Sequence, residues 1–593
     1  MTQTFPNCSS IEVIQLIIND IPPLINGKAW VKALAFTPTE IKFTYQVQPN
    51  SRILEAVDPE KLLIADFRNL YFEDQQHSST YITKILTEGI LINEKRYNYL
   101  GQSNNQMKQH KCLLLQAEHQ EIQQFLNKFG DWSSFTSVSK LSKRIGLLFS
   151  TGEKVFDLPS ENYKVIDDVE RNGLCFTDGC GLASKAIIIE VVKKMNLKFR
   201  EKRYPSVIQI RYQGFKGILL YEKDLRGMTC HFRKSMHKFT CNGPNDFYVV
   251  DYSKPYTFGR LNTQIVMLLS SLGVPDDAFL HKQVQYFSRL DSMFTELSIA
   301  LEDILNAENV ALACDLIENG FTEKVLQYVN KLYKHEMGTS LKVKKGRLGA
   351  VESEKLRILV KDSRIAFVAS DPTNKLQKNQ CFFRPTIRNQ PKTIVGPIFC
   401  VRNPCYHPGD ILVLQAVNLP ECEQIVDVLL FSVNGEVPTA HRSAGGDLDG
   451  DKFFVCWDPE LMPRETVESY DYPGHEEIAC QNIERTDLIR NFASYSNVGI
   501  AQCVELFMKW ADAKGPRCEE CVQINEFFSH AVDGQPVKIP DFLALPPEVD
   551  IQVRKDRIWN KLVTIAEERR ASKLANKTNL AIQAEDPQKK MNN

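Results

Sequence analysis

Short apolar runs broken by Gly, Asn and Asp dominate two stretches of the chain. In "SVIQIRYQGFKGILLY", Ile208, Ile210 and Tyr212 alternate with Gln209, Arg211 and Gln213, which predicts a strand with one apolar face. Gly214 and Gly217 bracket a predicted turn before a second strand at 218–221. A second β-rich block has candidate strands at 395–402, 411–417, 425–432 and 453–457, with "HPGD" (407–410) and "NGE" (434–436) as turns. Between the blocks, residues 261–335 read as helices, and Leu290, Phe294, Leu297, Leu301 and Leu305 recur at the spacing of one helix face. After about residue 480 the pattern is helical again, closing with a polar tail from Ala571. Residues 1–135 mix strand-like runs ("IKFTYQVQ") with polar helical ones ("AEHQEIQQFLNKF") and carry no recognisable motif.

This pattern divides the chain into an N-terminal region (1–135), a first β unit (136–258), a helical connector (259–365), a second β unit (366–470) and a helical C-terminal region (471–593). The class is α+β. So many short strands in two blocks predict small barrels rather than one open sheet.

Composition narrows the picture without deciding it. With 593 residues, 43% hydrophobic and 24% charged, the chain has the make-up of an ordinary globular protein. Its formal net charge of -1 gives no global basic field, so any polyanion site must be a local patch. The sixteen cysteines read as reduced thiols, and Cys518 and Cys521 form a CxxC with no second pair at zinc-finger distance. The opening "MTQTFPNCSS" lacks the regions of a secretory leader, and "AIIIEVV" at 186–192 is too short to span a bilayer. These features predict an intracellular protein, nuclear or cytoplasmic, with no membrane partner.

The chemistry concentrates in "GGDLDGDKFF" at 445–454, where Asp447, Asp449 and Asp451 stand at alternate positions. Gly445, Gly446 and Gly450 disfavour a helix there, and on a strand or tight loop alternate residues project to one side. Three carboxylates held so close need a cation, and an all-oxygen set favours a hard one: Mg²⁺, Mn²⁺ or Ca²⁺. The D-x-D-x-D spacing also opens a calcium-binding EF-hand loop, with Asp458 at its twelfth position. However, Lys452 stands where that loop needs glycine, and "FFVCW" reads as a buried strand. A catalytic Mg²⁺ site fits better.

Phosphoryl chemistry also needs cations. Lys216 sits at a glycine-flanked turn, and "FRKSMHKF" offers Arg233, Lys234, His237 and Lys238; taken alone, all read as ordinary solvated surface. "LKVKKGR" at 341–347 is a phosphate-backbone patch or an exposed loop. Asp178, in "FTDGCG", reads as a turn residue. In "RNPCYHPGD" two prolines fix the backbone around Asn403, Cys405 and His407, either as a site-bearing loop or as a corner between strands.

Taken together, "RNPCYHPGDILVLQAV" and "AGGDLDGDKFFVCWDPEL" resemble the cellular RNA-dependent RNA polymerases of RNA silencing. "GLCFTDGCGLAS", "QIRYQGFKGILL", "FRKSMHKF", "GRLNTQIVMLLSSLGV" and "FFSHAVDGQPVKIP" are similar to further blocks of that family, in the same order, so that the resemblance spans roughly 138–545. "VESEKLRILVKDSR" is a looser match, and residues 1–135 match no block. The resemblance implies two double-psi β-barrels linked and flanked by helices. It makes Asp447, Asp449 and Asp451 the Mg²⁺ ligands, with Mn²⁺ as a substitute, and places Lys216 and Lys238 at the nucleotide. Lys538 is implied near the phosphates or template, and Arg233, Lys234, Asn403 and His407 are further nucleotide- or RNA-binding candidates. The implied partners are a single-stranded RNA template, NTPs and a double-stranded RNA product passed to Dicer- or Argonaute-type proteins. The competing reading is a catalytically silent RNA-binding scaffold, for which the complete aspartate triplet would have no use.

Overall fold

The alternation at 207–212 produces the strand Val207–Tyr212, and its partner is Phe215–Tyr221, paired antiparallel with Arg211 opposite Lys216. The turn is tighter than the glycine spacing suggests: it lies at Gln213–Gly214, and Gly217 is inside the second strand. The computed structural model describes residues 28–585, apart from 71–74, 198–203, 242, 308, 346–350, 389, 473–478, 481, 496–497 and 533–536.

These two strands are the centre of a seven-stranded sheet. Its order is Glu153–Asp157, Asp246–Tyr252, Val207–Tyr212, Phe215–Tyr221, Cys180–Ala183, Cys230–Arg233 and Tyr163–Ile166. Two of its pairings are parallel, Cys180–Ala183 with Phe215–Tyr221 and Cys230–Arg233 with Tyr163–Ile166. Ile208, Ile210 and Tyr212 point into its own core with Phe232 and Phe247, while Val207, Ile218 and Leu220 face the second β unit. Each such side chain contributes roughly 1.5–3 kcal/mol by leaving water, so the shared layer joins the two units firmly.

The second unit is a closed barrel of Ser363–Ser370, Val428–Phe431, Gln380–Phe383, Leu412–Ala416, Gly396–Arg402 and Lys452–Cys456. Phe382, Phe383, Ile398 and Leu430 are wholly buried inside the molecule, and closure leaves no free strand edge.

The connector consists of helices Thr263–Ser271, Asp276–Ser292, Leu297–Asn306, Val310–Asn319 and Glu323–Ser340. The apolar row from Leu290 to Leu305 therefore belongs to two helices, not one. The break falls at 293–296, where Glu296 in extended conformation starts the second helix. The connector also contains strands: Gly259–Leu261 pairs with Ile358–Val360, and Leu341–Lys345 with Val351–Leu356. The side chains of the basic "LKVKKGR" segment lie outside the described residues.

At the N-terminal end stands a separate six-stranded sheet, in the order Ile41–Pro49, Lys28–Phe36, Leu62–Asp66, Lys111–Leu115, Lys95–Gly101 and Ile90–Ile92. Its two faces are both covered. One packs on Ile82 and Leu86 of helix Gln75–Glu88 and on Phe492, and the other on Leu126, Trp132, Leu141 and Phe149. Phe492 belongs to helix Arg485–Ser494, so the C-terminal region folds back onto this sheet. Among the described residues no helix is long and apolar enough to cross a membrane.

Candidate active site

The aspartates lie where the two β units meet. The loop carrying them precedes the barrel strand Lys452–Cys456, and the strand Phe215–Tyr221 of the other sheet faces it. Lys216 Nζ lies 2.6 Å from Asp449 Oδ2. Gln209 Nε2 donates to the Asp449 carbonyl (3.3 Å), and the Leu448 amide donates to the Asp178 carbonyl (3.1 Å). The contact is too close for a side chain on either of two glycines. A Cβ on Gly179, whose φ is +79°, would come within 2.4 Å of Asp449 Cβ, and one on Gly450 within 1.8 Å of Gln209 Nε2.

Within the loop the carboxylates organise their own backbone. The Asp447 amide donates to Asp451 Oδ2 (3.0 Å) and the Asp449 amide to Asp447 Oδ1 (3.1 Å). Arg402 Nε lies 2.6 Å from Asp451 Oδ2, but its N–H is not aimed at that oxygen, so the contact is an ion pair rather than a directed hydrogen bond. Asp449 and Asp451 thus each have a cation, while Asp447 has none at contact distance among the described residues.

The electrostatics follow this arrangement. Burial, and then the charges of Asp449 and Asp451, push the Asp447 carboxyl up to about 7. Burial also opposes ionisation of Asp449, but the charge and hydrogen bond of Lys216 outweigh it and hold that carboxyl below its usual range. Asp178 is raised by burial although Lys238 Nζ is 3.8 Å away.

The side chains do not converge as a closed ligand cage: among the described residues no three acidic, His or Cys groups form a ready metal-binding cluster. Asp449 is turned to Lys216 and Asp451 to Arg402. The donor set still fits a hard dication, because Asp447 has a desolvated carboxyl with no cation in contact and feels the charges of Asp449 and Asp451, a repulsion that such an ion relieves.

The loop is held from behind by a residue that sequence reasoning passed over. Asp410, fully buried, accepts from the amides of Tyr406 (3.1 Å), His407 (3.0 Å) and Ala444 (2.9 Å) and from the Tyr472 hydroxyl (2.7 Å). Its own carbonyl accepts from Ser443 Oγ (2.7 Å), and Ser443 Oγ accepts from the Arg402 amide (2.9 Å). Arg402 Nη1 also donates to the Ala444 carbonyl (2.8 Å), which holds Ala444 in the left-handed region at φ +51°. Burial raises the Asp410 carboxyl to about 6 despite its four donors.

The remaining candidates divide. Lys216 and Lys238 face the aspartates, directly or through Asp178. Lys234 is exposed and paired with Asp167 at 2.6 Å, and Arg233 Nε donates to the Cys180 carbonyl at 3.3 Å, so both anchor the turn before Lys238. Asn403 accepts from Nδ2 of Asn262 (2.9 Å), the cap of connector helix Thr263–Ser271, whereas His407 Nδ1 accepts from the Gly409 amide (3.1 Å) within the rigid corner around Asp410. Lys538 stands exposed between helices Glu519–Val532 and Asp541–Ala544. Asp178, Gln209, Arg402 and Asp410 were missed. The one signal for Arg402 and Asp410 was that both bound the "RNPCYHPGD" segment.

Comparison with known proteins fits this geometry. The chain is 30% identical over 527 residues to a probable RNA-dependent RNA polymerase 1 of Oryza sativa subsp. japonica, covering 84% of this chain and 67% of the rice protein. It is 29% identical over 495 residues to RNA-dependent RNA polymerase 1 of Arabidopsis thaliana, covering 80% of this chain and 44% of that protein. The chain thus spans less than half the length of the Arabidopsis relative. The solved structure of the RNA dependent RNA polymerase QDE-1 from Thielavia terrestris superposes with a TM-score of 0.70, covering 95% of this chain and 73% of that one at 14% identity. That likeness is one of fold: the closed barrel and the facing seven-stranded sheet are the paired double-psi β-barrel units, flanked by helices. A family model for RNA dependent RNA polymerase matches residues 36–578, reaching well into the N-terminal region whose sequence carries no recognisable block. With that match over nearly its whole length, the chain belongs to the RNA dependent RNA polymerase family.

Proposed function

We propose that this chain copies single-stranded RNA into double-stranded RNA by divalent-metal-dependent nucleotidyl transfer, and that the product feeds small-RNA production in RNA silencing. The observation that carries the reading is the aspartate triplet set against Lys216 across the junction of the two β units. Asp447, Asp449 and Asp451 would hold Mg²⁺, or Mn²⁺ as a substitute. When bound, the ions supply activation of the 3′-hydroxyl and charge neutralisation at the leaving diphosphate.

The chain's own residues do the rest. A phosphate bound at this junction would lie within reach of Lys216, which would stabilise the charge that develops during transfer. Lys238 adds positive charge on the Asp178 side. Lys216 stands on a strand packed against the other β unit, so its charge is already at the junction when transfer begins. The template is contacted mainly through its backbone, because any sequence must be copied. Arg233, Lys234, Asn403, His407 and Lys538 belong to the surrounding nucleotide and RNA surface. Dicer- or Argonaute-type proteins would take up the product, in the cytoplasm or nucleus.

The test is incubation of the purified protein with single-stranded RNA, labelled NTPs and Mg²⁺, with Asp449→Ala in parallel. Complementary RNA should form with the wild type, and the variant should lose at least about a thousandfold. Equal synthesis by the variant would remove the triplet from the chemistry. RNA binding by both with product from neither would favour the scaffold reading.

A further inference from the structure

Far from the aspartates in sequence, a cavity of about 740 Å³ opens between the N-terminal sheet and the start of helix Arg485–Ser494. Tyr99, Trp132 and Phe135 give it aromatic walls, and Gln123, Asn127 and Asn482 give it amides. Its size suits one small organic ligand. Arg485 lines the cavity with its guanidinium 5.8 Å from the centre of the Tyr99 ring. Nε and Nη2 of that guanidinium are fully buried and have no hydrogen-bond partner among the described residues. No acidic group pairs with it among the described ion pairs, and burial lowers its pKa to about 10. Those two nitrogens are closed to the cavity as well. The guanidinium charge still has no carboxylate partner among the described ion pairs, and a half-buried cation is costly unless something anionic approaches it.

The geometry points to a second ligand site here, for a nucleotide: a phosphate on Arg485 and a base against the aromatic walls. Inorganic phosphate alone would leave the rings and amides unused, and an apolar ligand would leave Arg485 unpaired. The bound nucleotide can be free or the 5′-terminal residue of an RNA strand, since both present the same chemistry. The site also touches the catalytic region. Trp132 packs on Phe239 with ring centres 4.8 Å apart, and the Asp131 amide donates to the Thr240 carbonyl (2.8 Å). Phe239 follows Lys238, whose amide donates to the Gly214 carbonyl (2.9 Å) in the turn before Lys216. An occupant is therefore two packed residues away from the lysines.

The experiment measures binding to the full chain of radiolabelled AMP and GMP by equilibrium dialysis. In parallel, a short fluorescent RNA with a 5′-phosphate and the same RNA with a 5′-hydroxyl are compared by anisotropy, without divalent metal. Arg485→Gln should weaken the phosphorylated probe about ten- to hundredfold, the value of a charged hydrogen-bond pair, and leave the 5′-hydroxyl RNA unchanged. Loss confined to AMP and GMP would assign the site to free nucleotide, and loss confined to 5′-phosphorylated RNA to a strand end. Ser133→Trp, which fills the exposed rim without touching Arg485, should give the same loss and guards against misfolding of the first variant. Binding of every probe at wild-type strength by both variants would overturn the inference.

Discussion

The two sides of the candidate site are built by opposite means. On one side Lys216 rides on a strand whose neighbours fix it residue by residue, Arg211 opposite Lys216 in a regular antiparallel pair. On the other, the aspartates occupy a loop outside the barrel ladder, and a buried polar scaffold of Asp410, Ser443, Arg402 and Tyr472 holds it. The strand needs only alternating residues and tight packing. The loop needs an ionisable group taken wholly out of water, and the raised carboxyl of Asp410 records the cost. Lys216 is therefore positioned by sheet register, and the acids by buried hydrogen bonds.

The sharpest way to break this contrast is to remove one cation and leave its strand alone. Lys216→Ala should lower RNA synthesis by about a hundredfold, the usual loss for one preorganised charge at a transition state. The sheet should persist, because the backbone pairing does not involve the side chain. Retained activity, measured as labelled NTP incorporated per minute, would show that the strand side is not part of the chemistry.

A smaller effect is expected on the acid side. Asp410→Asn turns an amide NH₂ toward donors and should destabilise the fold by about 1–3 kcal/mol. The sign with pH is specific. The Asp410 carboxyl is raised to about 6 in the folded chain, so the fold binds its proton more tightly than the unfolded chain does. Its contribution is fully present below the ordinary aspartate value and is lost as pH rises through about 6. The stability gap between wild type and Asp410→Asn, read from denaturant midpoints, should therefore narrow between about pH 4 and 6 and level off above that. A gap that widens or stays constant would mean that Asp410 is ionised in the fold throughout.

The same contrast explains what the sequence made legible. The strands 207–212, 396–402, 412–416 and 452–456 were visible because alternation and apolar runs are local properties. The aspartate triplet was visible because three carboxylates at alternate positions have few other uses. Asp410 was not, because "HPGD" is also an ordinary turn, and only the fold brings Ala444 and Tyr472 to it. In sequence Gly450 served only to disfavour a helix and Gly179 only to follow the turn residue Asp178, whereas both permit the close approach of the two β units. The break at 293–296 was hidden because the apolar spacing continues across it. Lys216 lay between these cases: its strand was legible, its place at the nucleotide came only from family resemblance, and the fold supplied its contact with Asp449.

The central claim is that Asp447, Asp449 and Asp451 are gathered to hold a divalent cation. It is tested most directly by titrating the protein with Mn²⁺ and following free ion by electron paramagnetic resonance, with Asp449→Ala alongside. The claim predicts saturable Mn²⁺ binding by the wild type, displaced by Mg²⁺ and lost in the variant. Identical Mn²⁺ binding by both proteins would contradict it.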